Sequence, residues 1–271
     1  MDLGLSGKQA LVTGSSAGIG LAIARTLAAE GVRICIHGRD AARCTAIVED
    51  VVANGGSATM VVADVDADGA PARIADAALG QLGAVDILVN NVGGRVRSGM
   101  SVDWFAIPPA LWTETYARNV TFAVELIHRL AGPMRTRRWG RIINVASVVA
   151  THPSGGVGEY SAAKNGLVNL SLGLSKALAG SGVTVNSVSP GLIQTGAADK
   201  WLAATARDRG FGDDLKAAEQ WVLSNSLRQT VHRWGMPQDI AYAVCMLASP
   251  SADFLNGINL HVDGGATQAV H

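Results

Sequence analysis

The chain has 271 residues and a formal net charge of zero, with 22 basic and 22 acidic side chains, so charge gives no case for nucleic acid or an anionic membrane as partner. Apolar residues make up 48% and charged ones only 16%, below the usual ~25% charged, which suits extensive internal surface and perhaps a subunit interface. Cys35, Cys44 and Cys245 lack metal or redox spacing, the six histidines lack ligand spacing, and no charge-free apolar run reaches the ~18 residues of a membrane span. The N-terminus has neither the basic start nor the long apolar core of a signal peptide. These features lead to the expectation of a soluble, cytoplasmic, metal-free protein.

Strand-like and helix-like patterns alternate along the chain. "QALVTG" (9–14) predicts a buried strand and 18–31 a glycine-ended helix, followed by a strand at 32–38 and a helix from Asp40 to Asn54. Strands are expected at 58–65, 86–91 and 140–147, with helices at 71–82 and about 109–137 between them. A helix near 160–179, a strand at 183–189, a long helical stretch near 197–227, a helix from Pro237 and a strand at 258–265 complete the series. Near-continuous apolar strands joined by helices indicate a parallel sheet covered on both faces. The fold class expected is α/β: one Rossmann-type doubly wound domain of about seven strands, residues 1–271, with no linker or repeat.

Between the first strand and the first helix stands "TGSSAGIG" (13–20). This is the strand–turn–helix context of a dinucleotide site. Gly14 permits the tight turn, Gly18 lets the backbone approach a pyrophosphate, and Gly20 allows close helix–strand packing beside Ile19. The helix N-terminus offers free N–H groups and its positive dipole end, and Ser15 and Ser16 can add hydroxyl donors. Ordinary turn and packing glycines are the plainer alternative.

"YSAAK" puts Tyr160 and Lys164 four residues apart on one helix face. Ser147 lies thirteen residues before the tyrosine, at the C-terminal end of a strand, where parallel sheets place ligands. Carbonyl reduction needs a proton donor beside the reacting oxygen. A tyrosine can serve if its pKa of ~10 is brought towards 7, about 4 kcal/mol of differential stabilisation. Lys164 and a positive nicotinamide can supply that in a partly dry site. Ser147 can hold the substrate oxygen.

The glycine spacing T-G-x-x-x-G-x-G, taken with Ser147, Tyr160 and Lys164, resembles the short-chain dehydrogenase/reductase family in its shorter, non-extended branch, over about residues 7–265. The resemblance implies NAD(P)-dependent chemistry on a small-molecule ketone or alcohol, with Ser147, Tyr160 and Lys164 as catalytic residues and Lys164 also gripping the nicotinamide ribose. It adds Asn119, in "YARNV", as a fourth member holding a water that links the lysine to solvent. It also implies that Asn91 and Gly93 of "NNVG" line the cofactor cleft, Val92 replacing the usual alanine. Asp64 and Val65 would contact adenine. The segment "PGLIQT" would bind the carboxamide through Pro190, Gly191, the Ile193 backbone and the Thr195 hydroxyl.

Cofactor choice rests on "HGRD". Gly38 stands where NAD-binding members carry an acid, and Arg39 follows, which resembles NADP(H)-preferring members; NAD(H) remains possible. Ala17 departs from the basic residue many NADP-binding relatives have in the glycine loop. Arg39 could instead be a solvated loop charge, or be diverted by Asp40. In the resembled family the helices near 109–137 and 160–179 pair with a second subunit, so a homotetramer or dimer is expected.

Other signals carry less. The basic run "MRTRRWGR" (134–141) reads as a solvated helix end complementing the macrodipole. His152 could touch substrate or be a plain loop histidine. Trp104 and Phe105 could wall a pocket or simply pack. Residues 196–232 read as two helices joined by a Gly-rich turn, a lid whose apolar face suggests a bulky or hydrophobic substrate. The leading function is an NADPH-dependent carbonyl reductase or alcohol dehydrogenase. The alternatives are a 3-oxoacyl thioester reductase, a non-catalytic redox sensor, and a lyase or epimerase.

Overall fold

The computed structural model describes residues 2–95, 103–153, 155–225 and 229–267. Seven strands, β1 (Gln9–Val12), β2 (Arg33–Gly38), β3 (Ser57–Val62), β4 (Ile87–Asn90), β5 (Gly140–Val145), β6 (Val183–Pro190) and β7 (Asn259–Val262), form one sheet in the order β3-β2-β1-β4-β5-β6-β7. Every pairing is parallel. The doubly wound α/β class expected from the alternation is therefore the class observed. Strand order reverses between β1 and β4, which opens a crevice outside the carboxyl ends of the strands.

The helices are α1 (Gly18–Ala29), α2 (Ala41–Ala53), α3 (Ala70–Leu82), α4 (Pro109–Tyr116), α5 (Phe122–Thr136), α6 (Gly158–Ala177), α7 (Gly196–Asp208), α8 (Leu215–Asn225) and α9 (Pro237–Ala248). Side chains alternate across the sheet, so successive residues enter different cores. Ala10, Val12, Ile34 and Ile36 pack with α1, α2 and α9, whereas Leu11, Cys35 and Leu88 pack with α3 and α5. β5 and β6 are buried along their whole length, which explains why they read as continuous rather than alternating apolar runs.

Two expectations about elements change. The expected strands at 9–14, 58–65, 140–147 and 258–265 stop at Val12, Val62, Val145 and Val262. Beyond those points the chain leaves the sheet to build the crevice. The stretch 109–137 is not one uniform helix: a π-helical turn, Ala117–Thr121, separates α4 from α5. Such turns gather at functional sites, and this one carries Asn119.

The basic run 134–141 divides: Arg135, Arg137 and Arg138 are exposed around the C-terminal end of α5, as expected, but Arg141 is not. Arg141 is only 2% exposed. It donates to the backbone carbonyls of Gly140, Gly182, Ser249 and Pro250 within 3.5 Å. Arg137 donates to Val85 and Asp86. Lys8 and Arg141 lie 4.1 and 4.7 Å from the Trp139 ring centre. A planar five-donor fork satisfies many carbonyls at once, so Arg141 closes the N-terminal end of the sheet instead of facing solvent.

The insert folds as expected into α7 and α8, with Gly210 and Gly212 at positive φ between them; residues 226–228 lie outside the described residues. Among the described residues, no helix is long and apolar enough to cross a membrane, and no group of three or more His, Cys, Asp or Glu side chains could hold a metal.

Candidate active site

The glycine loop follows β1. Gly14 and Gly18 have φ of +64° and +55°, left-handed values that disfavour any side chain. A Cβ at Gly20 would stand 2.4 Å from the Gly14 carbonyl oxygen and 2.5 Å from Asn91 Nδ2. Helix α1 is preceded by Ala17, which makes no side-chain cap, and its first turn has no acid. Its N-terminal N–H groups and dipole thus remain for an anion. This cradle fits a dinucleotide pyrophosphate.

Ser15 differs from the expectation. Its hydroxyl donates to the Val12 carbonyl at 2.8 Å and accepts from the His37 N–H at 2.9 Å, and it is fully buried. Its hydroxyl shapes the loop, and Ser16, half-buried beside Ile19, is left as the hydroxyl facing the cleft.

Two residues that lock this loop, Thr13 and His37, had no role in the sequence reading. Thr13 Oγ1 donates to the Val89 carbonyl and accepts from the N–H groups of Asn91 and Val92 at 2.9 and 3.0 Å. Asn91 returns the contact, its Nδ2 donating to the Thr13 carbonyl at 2.9 Å. His37 Nδ1 accepts from the Gly14 N–H at 3.0 Å. Burial lowers the His37 pKa to about 4, so the ring is neutral and Nδ1 keeps the lone pair this bond needs. The threonine of the T-G motif was a visible signal for Thr13; nothing local marks His37.

Where the resemblance expects the adenosine half of the cofactor, the crevice holds a cavity of about 190 Å³. Gly38, Arg39, Asp64, Val65 and Gly93 line it with Ser16. A Cβ at Gly38 would lie 2.7 Å from Ser16 Cβ and 2.9 Å from Cys44 Sγ, so a larger side chain there requires a rearranged loop. Arg39 is exposed. Asp40 is engaged as the α2 N-cap, accepting from the Arg43 N–H at 3.0 Å. Asp64 accepts from the Asp66 N–H at 3.1 Å, a turn-forming bond beside any adenine contact.

At the other end, Ser147 lies close to the Tyr160 phenol, and its Oγ accepts from the Val149 N–H at 3.4 Å. Burial raises the Tyr160 pKa to about 12, the nearby Ser147 hydroxyl opposing the shift. Lys164 is 2% exposed, donates to the Val145 carbonyl at 2.7 Å, and is lowered by burial to about 7. Its Nζ lies 5.7 Å from the Tyr160 ring centre. Helix α6 also fastens the segment after Ser147, Ser161 donating to the Val149 carbonyl and Asn165 to that of Ala150. Behind it runs a buried chain: Asn90 donates to Asn144, Asn144 to Ser171, and Ser187 to Ser171, each within 2.8 Å. This chain ties β4, β5, β6 and α6 together.

Asn119 stands beside Lys164, across Gly93. Its Nδ2 donates to the carbonyls of Gly94 and Thr115 at 2.9 and 2.8 Å, and Oδ1 accepts from the Gly94 N–H at 3.0 Å. Both ends of the amide are engaged in pinning the loop. A Cβ at Gly93 would lie 2.6 Å from Asn119 Oδ1 and 2.8 Å from Lys164 Nζ. The backbone therefore passes directly against the lysine.

Pro190 ends β6 and Gly191 follows it, where a Cβ would meet Asp263 Cα at 2.7 Å. Ile193 bridges to Gly235. Thr195 caps α7, its Oγ1 accepting from the Ala198 N–H at 3.3 Å, and its methyl faces Gly18. His152 contacts Thr151 Oγ1 at 3.3 Å. Trp104 packs edge-on against Phe105 and Trp112, and Phe105 is largely exposed.

Comparisons agree with this arrangement. The family model described as short chain dehydrogenase matches residues 8–206. The chain is 35% identical over 263 residues to the 3-oxoacyl-[acyl-carrier-protein] reductase FabG of Vibrio harveyi, covering 97% of this chain and 98% of that one. Among solved structures it resembles L-sorbose reductase of Gluconobacter frateurii in complex with NADPH and L-sorbose (TM-score 0.92, 31% identity, all of both chains). It also resembles a 7α-hydroxysteroid dehydrogenase in complex with NADH and 7-oxo glycochenodeoxycholic acid (TM-score 0.85, 30% identity, 100% and 98% of the two chains). The chain belongs to the short-chain dehydrogenase family and is an NAD(P)-dependent oxidoreductase.

Proposed function

We propose that the protein is an NADPH-dependent carbonyl reductase, interconverting a ketone and a secondary alcohol with Tyr160 as general acid/base. The observation that carries this reading is Lys164, buried against the end of β5 with its Nζ 5.7 Å from the Tyr160 ring centre. When bound, the nicotinamide cofactor supplies or accepts the hydride. Ser147 holds the substrate oxygen and stabilises the charge developing there. Tyr160, with its pKa pushed up to about 12, stays a phenol at neutral pH and is a proton donor, which suits reduction. In the oxidative direction it must ionise, which requires positive charge beside it. Lys164, lowered to about 7, can lose or regain a proton near neutrality and so return one to Tyr160.

Tightly packed Gly38 and exposed Arg39 support NADP(H), with Arg39 free of the Asp40 carboxylate to meet a 2′-phosphate. The NADPH-bound L-sorbose reductase favours the same choice, while NAD(H) stays open as a poorer cofactor. The α7–α8 insert is read as a lid over a bulky or hydrophobic ketone. The resemblance to FabG favours a second reading, reduction of a 3-oxoacyl thioester. Exposed Tyr116 of α4 and Leu172 of α6 suit a subunit contact in a dimer or tetramer.

A panel of ketones, sugars and 3-oxoacyl thioesters, followed by NADPH absorbance, tests the reading. Turnover of a simple ketone class with NADPH is expected, and the Arg39→Ala variant should bind NADPH about 10- to 150-fold more weakly with NADH almost unaffected. A parent enzyme that prefers NADH, or a mutant that loses both equally, removes Arg39 as the phosphate reader.

A further inference from the structure

The adenosine cavity has one wall that the sequence reading did not assign. Arg118, next to Asn119 in the π-helical turn, lines the cavity together with Asp66. The two form a two-pronged ion pair: Arg118 Nε donates to Asp66 Oδ1 at 3.1 Å, and the second nitrogen to Oδ2. Arg118 is 22% exposed and Asp66 52%. A second, larger groove of about 520 Å³ lies beyond, and Arg118, Asp66 and Val65 line both spaces. The pair is thus the partition between them.

Its chemistry differs from that of Arg39, which lines the same cavity. A two-pronged carboxylate contact holds the guanidinium as a fixed plane and neutralises its charge locally. A neutralised, oriented guanidinium is poorly suited to reading a phosphate but well suited to stacking on an aromatic base. The π turn that positions Asn119 over Gly94 also sets Arg118, because the two are adjacent in one turn.

We infer that Arg118, held flat by Asp66, contacts the adenine base and is an affinity- and specificity-determining residue of the cofactor site, while discrimination of the 2′-phosphate belongs to Arg39. This inference rests on the placement of the cofactor's adenosine half in that cavity.

The test is calorimetric binding of two fragments, 5′-AMP and adenosine 2′,5′-bisphosphate, to the full-length protein. Arg118→Leu should weaken both by a similar factor, about 3- to 30-fold. Arg39→Ala should weaken the bisphosphate and spare 5′-AMP. Asp66→Ala, a change at a half-exposed position, frees the guanidinium and should weaken both fragments by a smaller factor; it also serves should Arg118→Leu fail to fold. Unchanged 5′-AMP binding by the folded Arg118 variant, or by Asp66→Ala when it alone folds, overturns the inference while leaving the cofactor site intact. Loss confined to the bisphosphate overturns it too, making Arg118 a second phosphate reader. A parent protein that binds neither fragment overturns the placement of the adenosine half, and the inference with it.

Discussion

Two cations are buried at opposite ends of one strand. Arg141 lies at the start of β5, and Lys164 reaches the carbonyl of its last residue, Val145. Both are 2% exposed, both donate to backbone carbonyls, and neither has an ion pair among the described residues. Burial lowers both pKa values, but with different consequences. An arginine keeps its proton under any ordinary condition, so Arg141 is a permanent five-donor clamp. A lysine brought to about 7 exists in both forms near neutrality. The same burial makes a structural tie at one end and a group able to exchange protons at the other.

The contrast can be broken most sharply at the lysine end. Tyr160→Phe and Lys164→Met should each lower kcat by about 10²–10⁴-fold. Thermal stability of either variant should be unchanged or higher, because a desolvated polar group has been removed. Measured together, turnover and melting temperature decide the matter: near-normal turnover by a folded variant would falsify the roles assigned to these residues.

The arginine end should respond the other way. Arg141→Leu removes the side-chain donor shared by four carbonyls, of which that of Ser249 keeps the Ala252 N–H, and should destabilise the protein by about 3 kcal/mol. Specific activity of the folded fraction should remain. Denaturant unfolding read against activity is the check, and loss of activity without loss of stability would reverse the comparison.

A smaller effect appears on titration of the site end. His37 has its pKa lowered from 6.5 to about 4. The unfolded chain therefore binds a proton first as pH falls, so the stability from neutral His37 is fully present above 6.5 and lost progressively down to about 4. Between neutrality and about pH 5 the loss should be on the order of 2 kcal/mol. His37→Asn should flatten this part of the stability–pH curve. An unchanged slope in that variant means that other groups set the acid limit.

Much of the site was legible in local order. The glycine spacing, the four-residue step from Tyr160 to Lys164 and the strand-end position of Ser147 are short-range patterns, and each follows from the geometry of a turn, a helix or a strand. The residues that brace them were not. Thr13 meets Asn91 across 78 positions, Asn90 meets Asn144 across 54, and Arg118 meets Asp66 across 52. Ser15 and Asn119 fit the recognised pattern, yet their side chains are engaged by backbone groups that only folding brings near.

By itself the sequence determined the alternation of strands and helices, hence the parallel sheet, and the residue types that cofactor and proton chemistry require. Local periodicity and turn chemistry suffice for these because their partners lie within a few residues. The tertiary structure alone decided where each strand leaves the sheet, that a π turn breaks the helix at Asn119, and that Arg141 is buried while Arg39 is exposed. Those outcomes depend on which distant carbonyls and amides converge on a side chain, and the order of strands across the sheet sets that convergence.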